Sequence, residues 1–130
     1  MCIRDRCKFT HNGAIWGAGL YVAFHDSPQK NTISVDNTLF SHNDCYLNGG
    51  GGVDIGLLFY KDLPPKENTM KFNNCRFIEN RAKYGGGIKF YSSQSKSDLK
   101  NNIEFNDCTW KRNNAPVSYT HLTLPTIYSV

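Results

Sequence analysis

Apolar and polar residues alternate in short runs along this chain, and the runs recur in the same order. Asn31-Thr-Ile33-Ser-Val35-Asp-Asn37, Asn68-Thr-Met70-Lys-Phe72-Asn-Asn74 and Asn101-Asn-Ile103-Glu-Phe105-Asn-Asp107 each carry an apolar residue at alternate positions. Period two sends successive side chains to opposite faces, the pattern of a half-buried strand. A second set alternates in the same way at Leu20 and Val22, Val53 and Ile55, Ile88 and Phe90. A third is a block that occurs four times: Cys7-Lys-Phe9-Thr-His-Asn12, Thr38-Leu-Phe40-Ser-His-Asn43, Cys75-Arg-Phe77-Ile-Glu-Asn80 and Cys108-Thr-Trp110-Lys-Arg-Asn113. No window has a convincing helical period.

The block starts lie 31, 37 and 33 residues apart. A period of that size marks stacked supersecondary units. Three short strands in about 30 residues predict an all-β right-handed parallel β-helix of about three coils, with coils about 4.8 Å apart. One coil cannot bury its apolar face alone, so the core forms between neighbours. Alignment predicts the inward ladders. The first sheet buries Phe9, Phe40, Phe77 and Trp110, with Cys7, Thr38, Cys75 and Cys108 two residues before them. The second buries Leu20, Val53 and Ile88, then Val22, Ile55 and Phe90. The third buries Ile33, Met70 and Ile103, then Val35, Phe72 and Phe105.

Between the first and second runs lie glycine clusters: Gly17-Ala-Gly19, Gly49 to Gly52 and Gly85 to Gly87. A corner between strands accounts for them, since φ > 0 is often needed there and a Cβ would meet the coil above. Neither Lys-Ser/Thr nor a helix follows, so they do not read as a phosphate loop. Asn12, Asn43, Asn80 and Asn113 end the first strands. They are expected to take the left-handed turn conformation and to bond one another along the stack.

Chemistry-bearing residues are sparse. Cys7, Cys75 and Cys108 share a register. The spacing of adjacent coils permits a Cys75–Cys108 disulfide by distance, although a ladder of small buried thiols is the simpler expectation. Cys45 is placed in a turn beside Asp44. His11 and His42 are expected to stack in solvent. No Cys or His spacing suits zinc, and no catalytic, cofactor or metal residue is assigned. The outward strand carboxylates, Asp54 and Glu104, each face a lysine, Lys89 and Lys71, and read as surface pairs. The segments that vary most between repeats, Ala23 to Lys30, Tyr60 to Glu67 and Tyr91 to Lys100, are the expected binding loops.

Both ends depart from the repeat. Met1-Cys-Ile-Arg-Asp-Arg6 and Val117-Ser-Tyr-Thr-His-Leu122 can be encoded by reverse-complementary strings that look like the end of a tagmentation sequencing adapter. Leu122-Thr-Leu-Pro-Thr126 fits its continuation, and Ile127-Tyr-Ser129 an index. Residues 1–6 and 117–130 are therefore read as adapter-like, expected to pack poorly, and set aside; 7–116 are the repeats. The formal charge of +4 falls to +3 without Arg4, Asp5 and Arg6. The basic residues form no stripe, so nucleic acid is not an expected partner. The repeats break off part-way through a coil at both ends, so the isolated piece is expected to be marginal and to associate end to end.

The repeat Cys-x-Phe-x-x-Asn-x-Ala followed by a glycine cluster is carried by Phe9, Asn12 and Ala14; Phe40 and Asn43; Phe77, Asn80 and Ala82; and Trp110, Asn113 and Ala115. It resembles the repeats of parallel β-helix surface proteins, such as chlamydial polymorphic outer membrane proteins and similar invertebrate and protist proteins. The resemblance implies a non-enzymatic extracellular or cell-surface module, a stalk or adhesive surface within a longer chain. Its partner would be polysaccharide or surface protein, with no membrane contact by this segment. The alternative is a piece of a polysaccharide-active enzyme, pectate lyase-like or glycoside hydrolase, without its catalytic coils. That chemistry needs clustered carboxylates, or a base beside a metal or Arg. Fold alone does not decide between these readings.

Overall fold

The structure, a computed structural model, describes residues 2–3, 6–25, 30–58, 67–92 and 101–115. Strand β1 (Cys2–Ile3) comes first. The first repeat then carries β2 (Lys8–Thr10), β3 (Gly13–Ala14), β4 (Leu20–His25) and β5 (Asn31–Asp36). The second carries β6 (Leu39–Ser41), β7 (Asp44–Cys45), β8 (Val53–Leu58) and β9 (Asn68–Asn73). The third carries β10 (Arg76–Ile78), β11 (Arg81–Ala82), β12 (Ile88–Ser92) and β13 (Asn101–Asn106), and β14 (Thr109–Lys111) begins a fourth.

Every strand pairs in parallel with its counterpart one repeat away. The result is an all-β, solenoid-like stack. The first sheet runs β14-β10-β6-β2, the second β12-β8-β4 and the third β1-β5-β9-β13. A fourth sheet, β11-β7-β3, corrects the expectation of three strands per repeat. Its members are two residues long, too short to register as a period. Cys45 belongs to it, buried at 2% exposure beside Ala18 and Ala82, rather than to a turn. At the start of the chain, Cys2 and Ile3 pair with Ser34 and Val35, so these two residues of the 1–6 segment take part in the third sheet. Residues 117–130 lie outside the described residues.

The inward ladders hold. Phe40, Phe77, Val35, Phe72, Val53, Ile55 and Met70 are sealed at 0–1% exposure. Phe9, Phe40, Phe77 and Trp110 form one column, with ring centroids 5.2, 5.1 and 4.2 Å apart and planes within 8°. Each such ring pair is worth about 0.5–1.5 kcal/mol beyond area burial. The column is not uniformly buried as expected: Trp110, its last rung, is 47% exposed. Phe72 and Phe105 turn edges toward Phe77 and Trp110, locking the third sheet to the first.

Turn chemistry divides differently from the sequence expectation. Left-handed backbone falls at His11, His42, Glu79 and Arg112, one residue before the asparagines, and at Asn37, Asn74 and Asp107. The asparagines instead form the expected amide chain: Asn12 Nδ2 donates to Asn43 Oδ1 at 3.0 Å, Asn43 Nδ2 to Asn80 Oδ1 at 2.9 Å, and Asn80 Nδ2 to Asn113 Oδ1 at 2.9 Å. Each Nδ2 of the last three also reaches back to a carbonyl of the preceding repeat, Phe9, Phe40 and Phe77. This satisfies buried side chains that would otherwise be costly. Positive φ occurs at Gly17 and Gly85. Gly52 is required for space, since a Cβ would run into the Gly87 carbonyl oxygen of the next repeat and lie 3.2 Å from both Phe77 Cδ1 and Asn80 Nδ2.

Candidate functional site: an aromatic cleft on the second sheet

The outer face of the second sheet is uneven because its repeats differ. The register aligns Tyr21, Asp54 and Lys89 across β4, β8 and β12, and two residues on it aligns Ala23, Gly56 and Tyr91. In the turns before these strands, the repeat aligns Trp16, Gly49 and Tyr84. The middle repeat thus contributes two glycines where the third contributes tyrosines. Asn48, Asp54 and Gly56 meet Trp16, Tyr21, Tyr84, Lys89 and Tyr91 in the lining of a cleft of about 730 Å³. Its volume falls within the roughly 300–1,000 Å³ of small-molecule clefts. Trp16, Tyr21 and Tyr91 are about half exposed, at 53%, 48% and 50%.

Charge in the cleft is concentrated in one pair. Asp54 points outward, as the alternation requires, yet it is 3% exposed, so it is no simple surface carboxylate. Burial pushes its carboxyl above the usual carboxylate range, while Lys89 and a hydrogen bond from the Gly50 N–H pull it back. The Lys89 ammonium donates to the Asn48 carbonyl. It also lies 5.9 Å from the ring centroids of Trp16, Tyr84 and Tyr91, the outer limit of a cation–π contact. Lys71 and Glu104, by contrast, form the expected exposed ion pair at 3.0 Å.

Other sequence candidates are spread over the stack. His11 and His42 stack at 4.8 Å. The row then continues with a hydrogen-bond contact of His42 Nε2 with Glu79 Oε2 at 2.6 Å and an ion pair of Arg112 Nη2 with Glu79 Oε1 at 2.7 Å. Cys45, Cys75 and Cys108 are free thiols. The Cys75 thiol hydrogen-bonds to Cys108, which pushes Cys75 up and, as the largest of several effects, brings Cys108 down to about 7. Among the described residues, no group of three or more His, Cys, Asp or Glu could hold a metal ion.

The three variable loops lie largely outside the described residues (26–29, 59–66 and 93–100). The cleft is on a sheet face, which the sequence reading took only for paired charges. Lining up Trp16, Gly49 and Tyr84, and Ala23, Gly56 and Tyr91, would have revealed it. No family model matches the chain, and neither a curated protein nor a solved structure matches it.

Proposed function

We propose that this chain is a stretch of right-handed parallel β-helix and acts as a non-enzymatic, extracellular or cell-surface module whose second-sheet face binds a ligand. Two lines support the fold. Each strand is joined to its parallel neighbour by a crossover, and such connections are right-handed in about 98% of cases. The Phe-x-x-Asn and glycine-cluster repeat also resembles that of β-helix surface proteins. One observation carries the function: the aromatic cleft, built by three successive repeats, on a face that the core does not use. A core needs no half-exposed Trp16, Tyr21 and Tyr91, whereas recognition surfaces favour such rings. Polysaccharide or surface protein is the partner class.

The test is binding of the 130-residue chain to surface polysaccharides and secreted proteins, run beside assays for reducing ends and unsaturated sugar products. Saturable binding that Tyr21→Ala weakens, without product, is the expected result. Product release from any of these polymers would replace the module with the polysaccharide-active enzyme.

A further inference from the structure

The charge arrangement of the cleft narrows what it accepts, on the reading that this face is the ligand-binding one. We infer that the cleft takes a short stretch of neutral glycan, with sugar faces packed on its rings and hydroxyls bonded to Asp54 and the neighbouring polar groups.

The argument proceeds by what each ligand class would meet. A cationic ligand would seek the ring faces, but the Lys89 ammonium already stands within 5.9 Å of Trp16, Tyr84 and Tyr91 and would repel it. An anionic ligand drawn to Lys89 would meet the Asp54 carboxylate at the same register position on the adjoining strand. Lys89 is also engaged with the Asn48 carbonyl. A wholly apolar ligand would strip water from the exposed Asn48 and from the half-buried Lys89 and return no hydrogen bond.

A neutral sugar escapes all three objections. Its C–H faces suit Tyr and Trp rings, and its hydroxyls donate to a carboxylate. An ionised carboxylate offers about four acceptor sites. The Gly50 N–H takes part of that capacity and the Lys89 charge attracts the group, while the small exposed part of Asp54 lies in the cleft lining. The absent side chain at Gly56, beside Tyr91 on the next strand, provides the trough in which a ring can lie.

The experiment titrates the chain with neutral cello-, galacto- and manno-oligosaccharides, with oligogalacturonate and with chitosan oligomers. Calorimetry and the fluorescence of Trp16 serve as readouts, with Trp16→Phe removing the cleft signal. A neutral series is expected to bind about tenfold or more tighter than either charged one. Tyr21→Ala and Tyr91→Ala should each weaken it about tenfold, the loss of one stacking contact. Asp54→Asn should raise oligogalacturonate affinity about tenfold by unmasking Lys89. If that variant does not fold, the neutral-to-acidic ratio of the unmodified chain decides. Equal or tighter binding of a charged series, lost in Tyr21→Ala, would overturn the neutral-glycan inference and leave the ligand-binding face intact. Neutral binding unaffected by both tyrosine variants would overturn the placement in this cleft. If no saccharide binds and attachment to surface material persists in Tyr21→Ala/Tyr91→Ala, the inference and the binding face fall together.

Discussion

The inner column of the first sheet and the outer face of the second are built by the same repeats in opposite ways. Inside, Phe9, Phe40, Phe77 and Trp110 place an aromatic ring on every rung. Outside, the rungs read Tyr21, Asp54, Lys89 and Ala23, Gly56, Tyr91, with no two alike. A column of like residues is what stacking needs, because each ring must fit the one above and below. A row of unlike residues adds little to stacking, and its hollow at Gly56 leaves space that a core would fill. Sameness between repeats marks the scaffold here, and difference marks the site.

The largest test of this contrast is Phe77→Ala. Its ring is fully buried between Phe40 and Trp110, and truncation should destabilise the chain by about 3–5 kcal/mol in chemical denaturation. A change of less than about 1 kcal/mol would mean the column is not the core. Next comes Asn80→Ala, which removes a hydrogen-bond partner from the Asn43 backbone N–H, the Asn43 side-chain amide and the Phe40 carbonyl inside the stack; a loss of about 3 kcal/mol is expected by the same measurement.

Lys89→Ala should fall between the two regions. Lys89 reads from the sequence as half of a surface pair, but its removal leaves the buried Asp54 unpaired. About 1–2 kcal/mol should be lost at neutral pH, between the limits for exposed and buried pairs. The loss should shrink in acid, where protonation of Asp54 removes the unpaired charge. Thermal melts across pH would show this.

Cys75 and Cys108 sharpen the contrast along one row. With Cys108 at about 7 and Cys75 pushed up, thiolate accumulates on Cys108 first as pH rises. Alkylation followed by peptide mass mapping should label Cys108 increasingly through that pH and leave Cys75 unlabelled while the fold persists. Preferential labelling of Cys75 would contradict the burial order. The smallest stability effect is expected for Tyr91→Ala. Half exposed on the cleft wall, it should change stability by less than about 1 kcal/mol while weakening ligand binding.

The inner ladders were legible in sequence because alternation and repeat register each place the same residues, Phe40 and Phe77 or Val35 and Phe72, on the buried face. The fourth sheet was not legible, since Gly13–Ala14, Asp44–Cys45 and Arg81–Ala82 are each shorter than one alternation. The left-handed turns were misplaced by one residue, because His, Glu and Arg are not turn residues by composition; the adjoining Asn ladder holds the backbone there. The cleft was half legible. Asp54 and Lys89 could be paired from register, but the cleft around them depends on rings that sit in turns, Trp16 and Tyr84, and on a missing side chain at Gly56. Alternation carries no signal for these.

The asparagine chain has one more consequence, for how such a stack can be lengthened. The three bonds that link one amide to the next all run from the earlier repeat to the later one, so the row is vectorial. The Asn12 end offers an acceptor and the Asn113 end a donor, and only head-to-tail addition matches them. The spacing between blocks varies from 31 to 37 residues while the strands before and after keep their register. A gene encoding this repeat can therefore grow by tandem duplication of whole units, with the joint already complementary, while each new unit's outer face remains free to diverge.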